Sequence, residues 1–182
     1  KHRALKKLIS LNKKDQQKLE KIYSNFDQKE YNAIKRIEAR TKHDVNAVVQ
    51  YLSKKIEKNV SGALVPWVHF GLTSEDINNT AYSLMIKGAV RSSLLKSLKE
   101  LSGALKKLVS QNKDFPMMAL THGQPATTTS LGKEMAVFHV RLSRQVEQLK
   151  KRDLLAKLSG ATGTLAAHKI AFPKGSWVSF SE

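Results

Sequence analysis

Three short segments hold the polar side chains most suited to catalysis, and each lies where a helical apolar pattern is interrupted. They read "RTKHDV" at 40–45, "HFGLTSEDINN" at 69–79 and "THGQPATTT" at 121–129. Each contains an imidazole, which can transfer a proton near neutral pH. Each also contains a hydroxyl group, and the N–H groups left free at helix ends bind anions. These residue types suit acid–base chemistry on an anionic substrate.

Helix capping is the simpler interpretation of the first two segments. Thr41-x-x-Asp44 and Thr73-x-x-Asp76 both fit the N-terminus of a helix, and for either pattern alone capping is the better explanation. His43 and Asp44 are neighbours in sequence, and such residues do not face each other on a helix. They need not form a catalytic pair.

The histidines differ in how readily a structural role explains them. His139 lies inside an apolar helical stripe and is expected to be a surface or core residue, and His168 is treated alike. His122 is harder to explain, because a loop that only breaks a helix needs no more than Gly123 and Pro125. A histidine in such a short loop between long helices is held by rigid supports and can reach a cleft.

The sequence predicts neither a metal site nor a cofactor site. There is no Cys, and no metal-ligand spacing surrounds His43, His69 or His122. The glycine-rich phosphate-binding motifs and G-x-S-x-G are also absent. The absence of Cys is compatible with a reducing compartment, and no apolar run could span a membrane. The basic N-terminus lacks the apolar core of a signal peptide, so a cytoplasmic protein is expected.

The net charge of +17 raises the question of nucleic-acid binding. The excess is spread along the chain, because residues 1–60 hold 16 basic and 7 acidic residues and the remainder hold 16 and 8. Aromatic side chains are sparse and are not interleaved with the basic ones, so no base-stacking surface is indicated. A preference for small anionic ligands is the better interpretation, and nucleic acid is not the expected partner.

The apolar pattern predicts helices along the whole chain. Steps of three or four residues mark a helix near 19–26 and helical sequence over 31–56, with Asp27 as a cap between them. No strong break interrupts 74–112, where leucines recur at alternating steps of four and three, as in the seam of a bundle.

A second long helix is expected from Thr129 or Ser130 to about Leu158, with Gly160 as its stop. Strand-like alternation is nowhere sustained. The predicted fold class is therefore all-α, a bundle of long helices that needs other helices or other subunits to cover its apolar stripes.

Four segments, taken in order, resemble the fumarase/aspartase superfamily, and most specifically its adenylosuccinate lyase family. They are "KRIEARTKHDVNAV", "VHFGLTSEDINNTAYSLMIKGA", "THGQPATTTSLGKEMA" and "KLSGATGTLAAH". The most specific part is TSEDINN followed about 45 residues later by THGQPAT. A cycloisomerase branch shares T-S-x-D and a similar histidine loop and is the nearest alternative. A basic helical module that binds nucleic acid or a partner protein is the alternative of a different class.

The resemblance implies three helical domains, the central one contributing long helices to the core of a homotetramer with active sites shared between subunits. Residues 1–72 would be part of the N-terminal domain and 73–182 the first part of the central long-helix bundle. The family's catalytic base is a serine in an S-S-x-M-P-x-K-x-N loop, which these 182 residues lack. We therefore expect an incomplete lyase that has the acid but not the base and is inactive alone.

The reaction implied is β-elimination of fumarate from adenylosuccinate, leaving AMP, and from the succinylated aminoimidazole carboxamide ribotide of purine biosynthesis. By the resemblance His122 is the general acid that protonates the departing nitrogen. Thr73 and Ser74 would hold a carboxylate of the succinyl group through hydroxyl and free N–H groups. The substrate-binding residues implied are Lys42, His43, Asp44, Thr73 and Ser74.

Some features fit this resemblance better than others. The positive net charge suits a small nucleotide with two carboxylates and a phosphate, and no cofactor is implied. Glu75 and Asp76, in contrast, place negative charge beside the expected carboxylate site. His69, Thr121 and Gln124 are weaker candidates for lining the cleft.

Overall fold

The computed structural model describes residues 11–181, which are mostly helical. The segment considered above as a signal peptide, residues 1–10, lies outside the described part. The α-helices are α1 (Lys13–Ser24), α2 (Gln28–Thr41), α3 (Asp44–Asn59), α4 (Ser74–Ala89), α5 (Leu95–Asn112), α6 (Leu131–Lys151), α7 (Ala166–Ala171) and α8 (Trp177–Ser181). A 3₁₀ helix spans Gly62–Trp67, a π-helical turn spans Val90–Leu94, and strands β1 (Pro116–Thr121) and β2 (Gln124–Ser130) form one hairpin.

The chain divides into two compact units, each described by itself. Of the described residues, the first comprises 11–82 and 156–181, and the second comprises Ser83–Leu155. Continuous helical structure from Ser74 to Asn112, with its π-helical turn, confirms the long helical element predicted there.

Local capping determines where the first helices of the first unit begin, and one buried helix face packs them together. The Asp27 carboxylate accepts from the Glu30 N–H at 3.0 Å, which confirms the predicted cap of α2. The helical sequence expected over 31–56 is divided between α2 and α3 by two residues at Lys42 and His43. Helix α3 supplies most of the apolar core of this unit. Its buried side chains are Val45, Ala47, Tyr51 and Ile56.

An aromatic cluster forms around the end of the described chain, also in the first unit. Trp177 and His168 are each only 2% exposed, with ring centroids 4.9 Å apart. Phe70 meets the His168 ring edge-on at 5.5 Å. The Trp177 indole N–H donates to the Phe172 carbonyl at 2.9 Å, so the polar edge of the ring is satisfied where it is buried.

In the second unit α5 packs on α6, with the Ser102 hydroxyl 3.2 Å from His139 Nδ1 between them. Helix α6 begins at Leu131 because the Ser130 hydroxyl accepts from the Lys133 N–H, which confirms the predicted start. Three of the five seam leucines remain uncovered. The exposed members are Leu94, Leu101 and Leu108, at 44%, 51% and 43%.

Two features of the second unit differ from expectation. The mostly helical fold includes the β1–β2 hairpin, which was not predicted and in which Thr121 pairs with Gln124 and Pro116 with Ser130. The predicted end of α6 near Leu158 is wrong, because the helix ends at Lys151. The chain just beyond has no regular secondary structure, and its backbone bonds to side chains of α4, as when the Ser83 hydroxyl donates to the Leu155 carbonyl at 2.9 Å.

Candidate active site

The turn between α2 and α3 carries the first group of predicted site residues. Lys42 is exposed and lies in the left-handed region at φ 56°, where its N–H closes α2 by donating to the Glu38 carbonyl at 2.7 Å. Thr41 belongs to the end of α2, so its predicted role in starting the next helix is wrong. The cap of α3 is His43, whose Nδ1 accepts from the Asn46 N–H at 3.3 Å.

This capping bond determines which nitrogen of His43 is free to donate. Because Nδ1 accepts a hydrogen bond, the proton of the neutral ring lies on Nε2. Nε2 is 3.4 Å from the Ser74 hydroxyl, at the first residue of α4. The Asp44 carboxylate lies 3.3 Å from Nδ1. His43 therefore links the beginnings of α3 and α4, as the tautomer that carries its proton on Nε2.

Asp44 makes a second link between the same two helix ends. Its Oδ2 accepts from the Asn78 amide at 3.3 Å, and its Oδ1 accepts from the Val45 N–H at 2.7 Å. The bond from Val45 outweighs the opposing effect of burial and, with the bond from Asn78, holds the pKa of Asp44 below its usual value. The carboxylate thus stays charged while half-exposed at the edge of the cluster.

Asp76 is paired with a lysine, which removes the conflict seen in the sequence. Its side chain is 2% exposed and lies against Lys157, at 2.9 Å, and the N–H groups of Ser159 and Gly160. Burial acts to raise the pKa of Asp76, but the hydrogen bonds from the N–H groups of Ser159 and Thr73 and from Lys157, together with the charge of Lys157, outweigh it and lower the pKa. Glu75 is exposed.

Half of the capping box predicted at Thr73-x-x-Asp76 is formed. The Asp76 carboxylate accepts from the Thr73 N–H at 2.9 Å. This N–H was expected to be free to bind a ligand, and it is not. Within residues 11–181, no acceptor bonds the N–H of Ser74 or that of Glu75. The start of α4 can therefore bind an anion through the Ser74 hydroxyl and two N–H groups.

His122 lies at the tip of the β1–β2 hairpin in the second unit. His122 and Gly123 form a two-residue turn with φ of 50° and 75°, and positive φ at both positions is typical of a type I′ turn. The imidazole is exposed. A ring on a short hairpin turn has a fixed backbone and open access to a ligand, which are the properties that a proton donor needs.

The first unit thus brings His43, Asp44 and Ser74 into one cluster, joined by Asn78, whereas His122 belongs to the second unit. Asn78 was quoted as part of TSEDINN but was not singled out. Its two-helix link depends on Asp44, 34 residues earlier, and no local pattern indicates it. His69 is half-buried, and its Nδ1 has no hydrogen-bond partner within the described part of the chain.

Two further features bear on the chemistry available. Across residues 11–181, no group of three or more His, Cys, Asp or Glu side chains is arranged to hold a metal ion. None of the helices in that range combines the length and the apolar character needed to cross a membrane.

Comparison with known proteins gives consistent matches. A family model described as lyase matches residues 1–178. The adenylosuccinate lyase of Dictyostelium discoideum is 43% identical over 183 residues, covering 98% of this chain and 39% of that protein. The one from Buchnera aphidicola subsp. Acyrthosiphon pisum (strain APS) is 42% identical over 165 residues, covering 90% and 36%. This chain therefore spans well under half the length of these curated relatives.

A solved structure supports the same assignment at the level of the fold. The crystal structure of a fumarate lyase from Mesorhizobium sp. BNC1 matches with a TM-score of 0.69 and 25% identity, covering 91% of this chain and 38% of that one. The mostly helical fumarase/aspartase-type fold predicted from the sequence is confirmed, with the hairpin as an addition. The chain belongs to the lyase family.

Proposed function

We propose that this chain is part of an adenylosuccinate lyase, which eliminates fumarate from adenylosuccinate and leaves AMP. The observation that carries the proposal is the 43% identity to the Dictyostelium discoideum adenylosuccinate lyase over 98% of the chain. The same enzyme would act on the succinylated aminoimidazole carboxamide ribotide. In each reaction a base removes a proton next to a carboxylate, the carbon–nitrogen bond breaks, and an acid protonates the departing nitrogen.

The start of α4 would bind a carboxylate of the succinyl group. The Ser74 hydroxyl and the N–H groups of Ser74 and Glu75 supply the donors, and the Thr73 hydroxyl adds another. His43, neutral and donating through Nε2, orients the Ser74 hydroxyl at 3.4 Å. Lys42 and Asp44 complete the substrate-binding residues at the neighbouring helix end, where the exposed Lys42 ammonium favours an anionic substrate.

His122 would be the general acid. Its exposed position on a two-residue turn supports this role, because the ring is accessible to a ligand. The departing purine nitrogen gains the proton that the imidazole gives up. Thr121 and Gln124, which pair at the end of the hairpin, would hold the turn beside the substrate.

The remaining parts of the proposal concern the complete protein. We place the catalytic base in sequence beyond these 182 residues, in a mobile serine loop. We further propose a cytoplasmic homotetramer that shares its active sites between subunits and uses no cofactor. In that protein, residues 1–72 would belong to the N-terminal domain and residues 73–182 would begin the central bundle. The exposed leucines of α5 support the proposal of further helical partners.

The test is an activity assay on the full-length protein that contains this chain. Purified enzyme is mixed with adenylosuccinate, and the loss of the succinylated purine is followed by absorbance while AMP and fumarate are identified as products. We expect turnover with both succinylated substrates. No turnover of either, in a folded protein, would refute the proposal and favour a related lyase or cycloisomerase. The 182-residue chain alone should be inactive, and full activity there would show that the base is not missing.

A further inference from the structure

The Asp76 carboxylate collects four donors from two separate parts of the first unit. Oδ2 accepts from the N–H groups of Thr73 at 2.9 Å and Gly160 at 3.1 Å. Oδ1 accepts from the Ser159 N–H at 3.0 Å and lies 2.9 Å from Lys157 Nζ. Because the side chain is 2% exposed, water cannot replace these donors, and the site is specific for a charged acceptor with two oxygens.

The same residue holds the peptide groups that lead into α4. The Asp76 N–H donates to the Thr73 carbonyl at 3.0 Å, while its side chain accepts from the Thr73 N–H. Thr73 is therefore held on both sides by Asp76. Ser74 is the next residue, so the orientation of its hydroxyl and of its free N–H depends on how Asp76 holds Thr73.

Asp76 also has an electrostatic role at this helix end. An unpaired carboxylate two residues from Ser74 would repel a carboxylate of the ligand. Lys157 cancels this charge, and it is held in place by a second bond from its Nζ to the Gly160 carbonyl at 2.9 Å. The pair thus adds no net negative charge beside the start of α4.

We propose that Asp76, neutralised by Lys157, is a positioning residue that sets the orientation of Thr73 and Ser74 for binding of a substrate carboxylate. The inference rests on the proposed lyase function, since it assigns a role within that same site. It differs from a purely structural role in one respect: loss of Asp76 weakens binding of the dicarboxylate half of the substrate more than binding of the nucleotide half.

The chain provides a matched control in Asn79. Its side chain bonds the same C-terminal segment, donating to the Lys157 carbonyl at 3.1 Å and accepting from the Lys157 N–H at 2.7 Å. Its amide also donates to the Glu75 carbonyl in the first turn of α4, but Asn79 makes no hydrogen bond to Thr73 or Ser74 within the described residues. Asn79→Ala therefore loosens the segment while leaving the bonds between Asp76 and Thr73 in place.

The experiment compares product inhibition in full-length wild-type enzyme, Asp76→Asn and Asn79→Ala. Fumarate carries the carboxylates of the succinyl group, and AMP carries the nucleotide. Asp76→Asn replaces one acceptor oxygen with an amide that faces donors, and we expect the inhibition constant of fumarate to rise about tenfold or more. The constant of AMP should change by less than about twofold, and Asn79→Ala should leave both constants within about twofold.

Lys157→Met provides a second variant in case Asp76→Asn does not fold, because it keeps all three N–H donors to Asp76 and leaves the carboxylate charge uncompensated. It should also weaken fumarate selectively. Equal weakening of fumarate and AMP, or an equal effect of Asn79→Ala, would overturn the positioning role. If the wild-type enzyme had no lyase activity, the proposed function itself would fail, so the two failures are distinguishable.

Discussion

Gly71→Ala tests the packing that supports the start of α4. Gly71 lies at φ 67°, and a Cβ added there would be 2.4 Å from Nε2 of His168. That ring is 2% exposed and is enclosed by Phe70 and Trp177, at 5.5 Å and 4.9 Å, so it cannot move aside freely. We expect the free energy of unfolding to fall by about 2–5 kcal/mol, the sum of left-handed backbone strain and overpacking.

Gly163→Ala is the matched control, because Gly163 belongs to the same compact unit and lies at φ 73° with its nearest neighbour, the Ser159 hydroxyl, 3.9 Å away. It should cost only the backbone strain, about 1–2 kcal/mol. Urea unfolding of the full-length variants, followed by tryptophan fluorescence, measures both. Equal losses for the two variants would refute the close contact between Gly71 and His168.

Two other predictions use the same unfolding assay. Burial lowers the pKa of His168, and the Asp76 charge opposes this only partly. As the pH falls, the unfolded chain therefore takes up the proton before the folded chain does. The contribution of His168 to the free energy of unfolding should be fully present above about pH 6.5 and should be lost as the pH falls through the folded-state pKa. His168→Phe should reduce this pH dependence, and an unchanged profile would contradict the prediction. Ser130→Ala removes the cap of the Lys133 N–H and should cost about 1 kcal/mol, whereas Ser130→Asp should retain the stability, and equal losses would argue against the cap.

The helices and their caps could be predicted from the sequence because their signals are local. Asp27 and Ser130 each bond an N–H three residues ahead, which confirms the predicted cap at Asp27 and the helix start predicted near Ser130. The long helical stretch from 74 to 112 lacks strong breakers, and its apolar period is sufficient to identify it. The π-helical turn at Val90–Leu94 was not predicted, and its sequence contains neither Gly nor Pro.

The errors arose where contacts distant in sequence determine the structure. The hairpin turn uses His122-Gly123 in place of the usual Asn-Gly, and Pro125 within β2 argues against a strand. The chain that follows α6 is held by a contact distant in sequence, because the Asn79 side chain bonds the Lys157 backbone, 78 residues later. No periodic pattern within 131–158 contains that information.

The candidate site shows the same division. The capping interpretation of Thr73-x-x-Asp76 describes one real hydrogen bond, but no local pattern indicates that the carboxylate also binds a segment more than 80 residues away. The tension caused by Asp76 disappears only when its partners are known. The roles of Lys42, His43 and His122 stay predictions that require measurements on the enzyme.

His122→Asn in the full-length enzyme tests whether this imidazole protonates the departing nitrogen. Asn tolerates the φ of 50° and retains the turn, but it cannot serve as the acid. We expect an unchanged unfolding midpoint and a fall in kcat on adenylosuccinate of about 10²–10⁴-fold. A folded His122→Asn enzyme that keeps its kcat within about tenfold of wild type would contradict it.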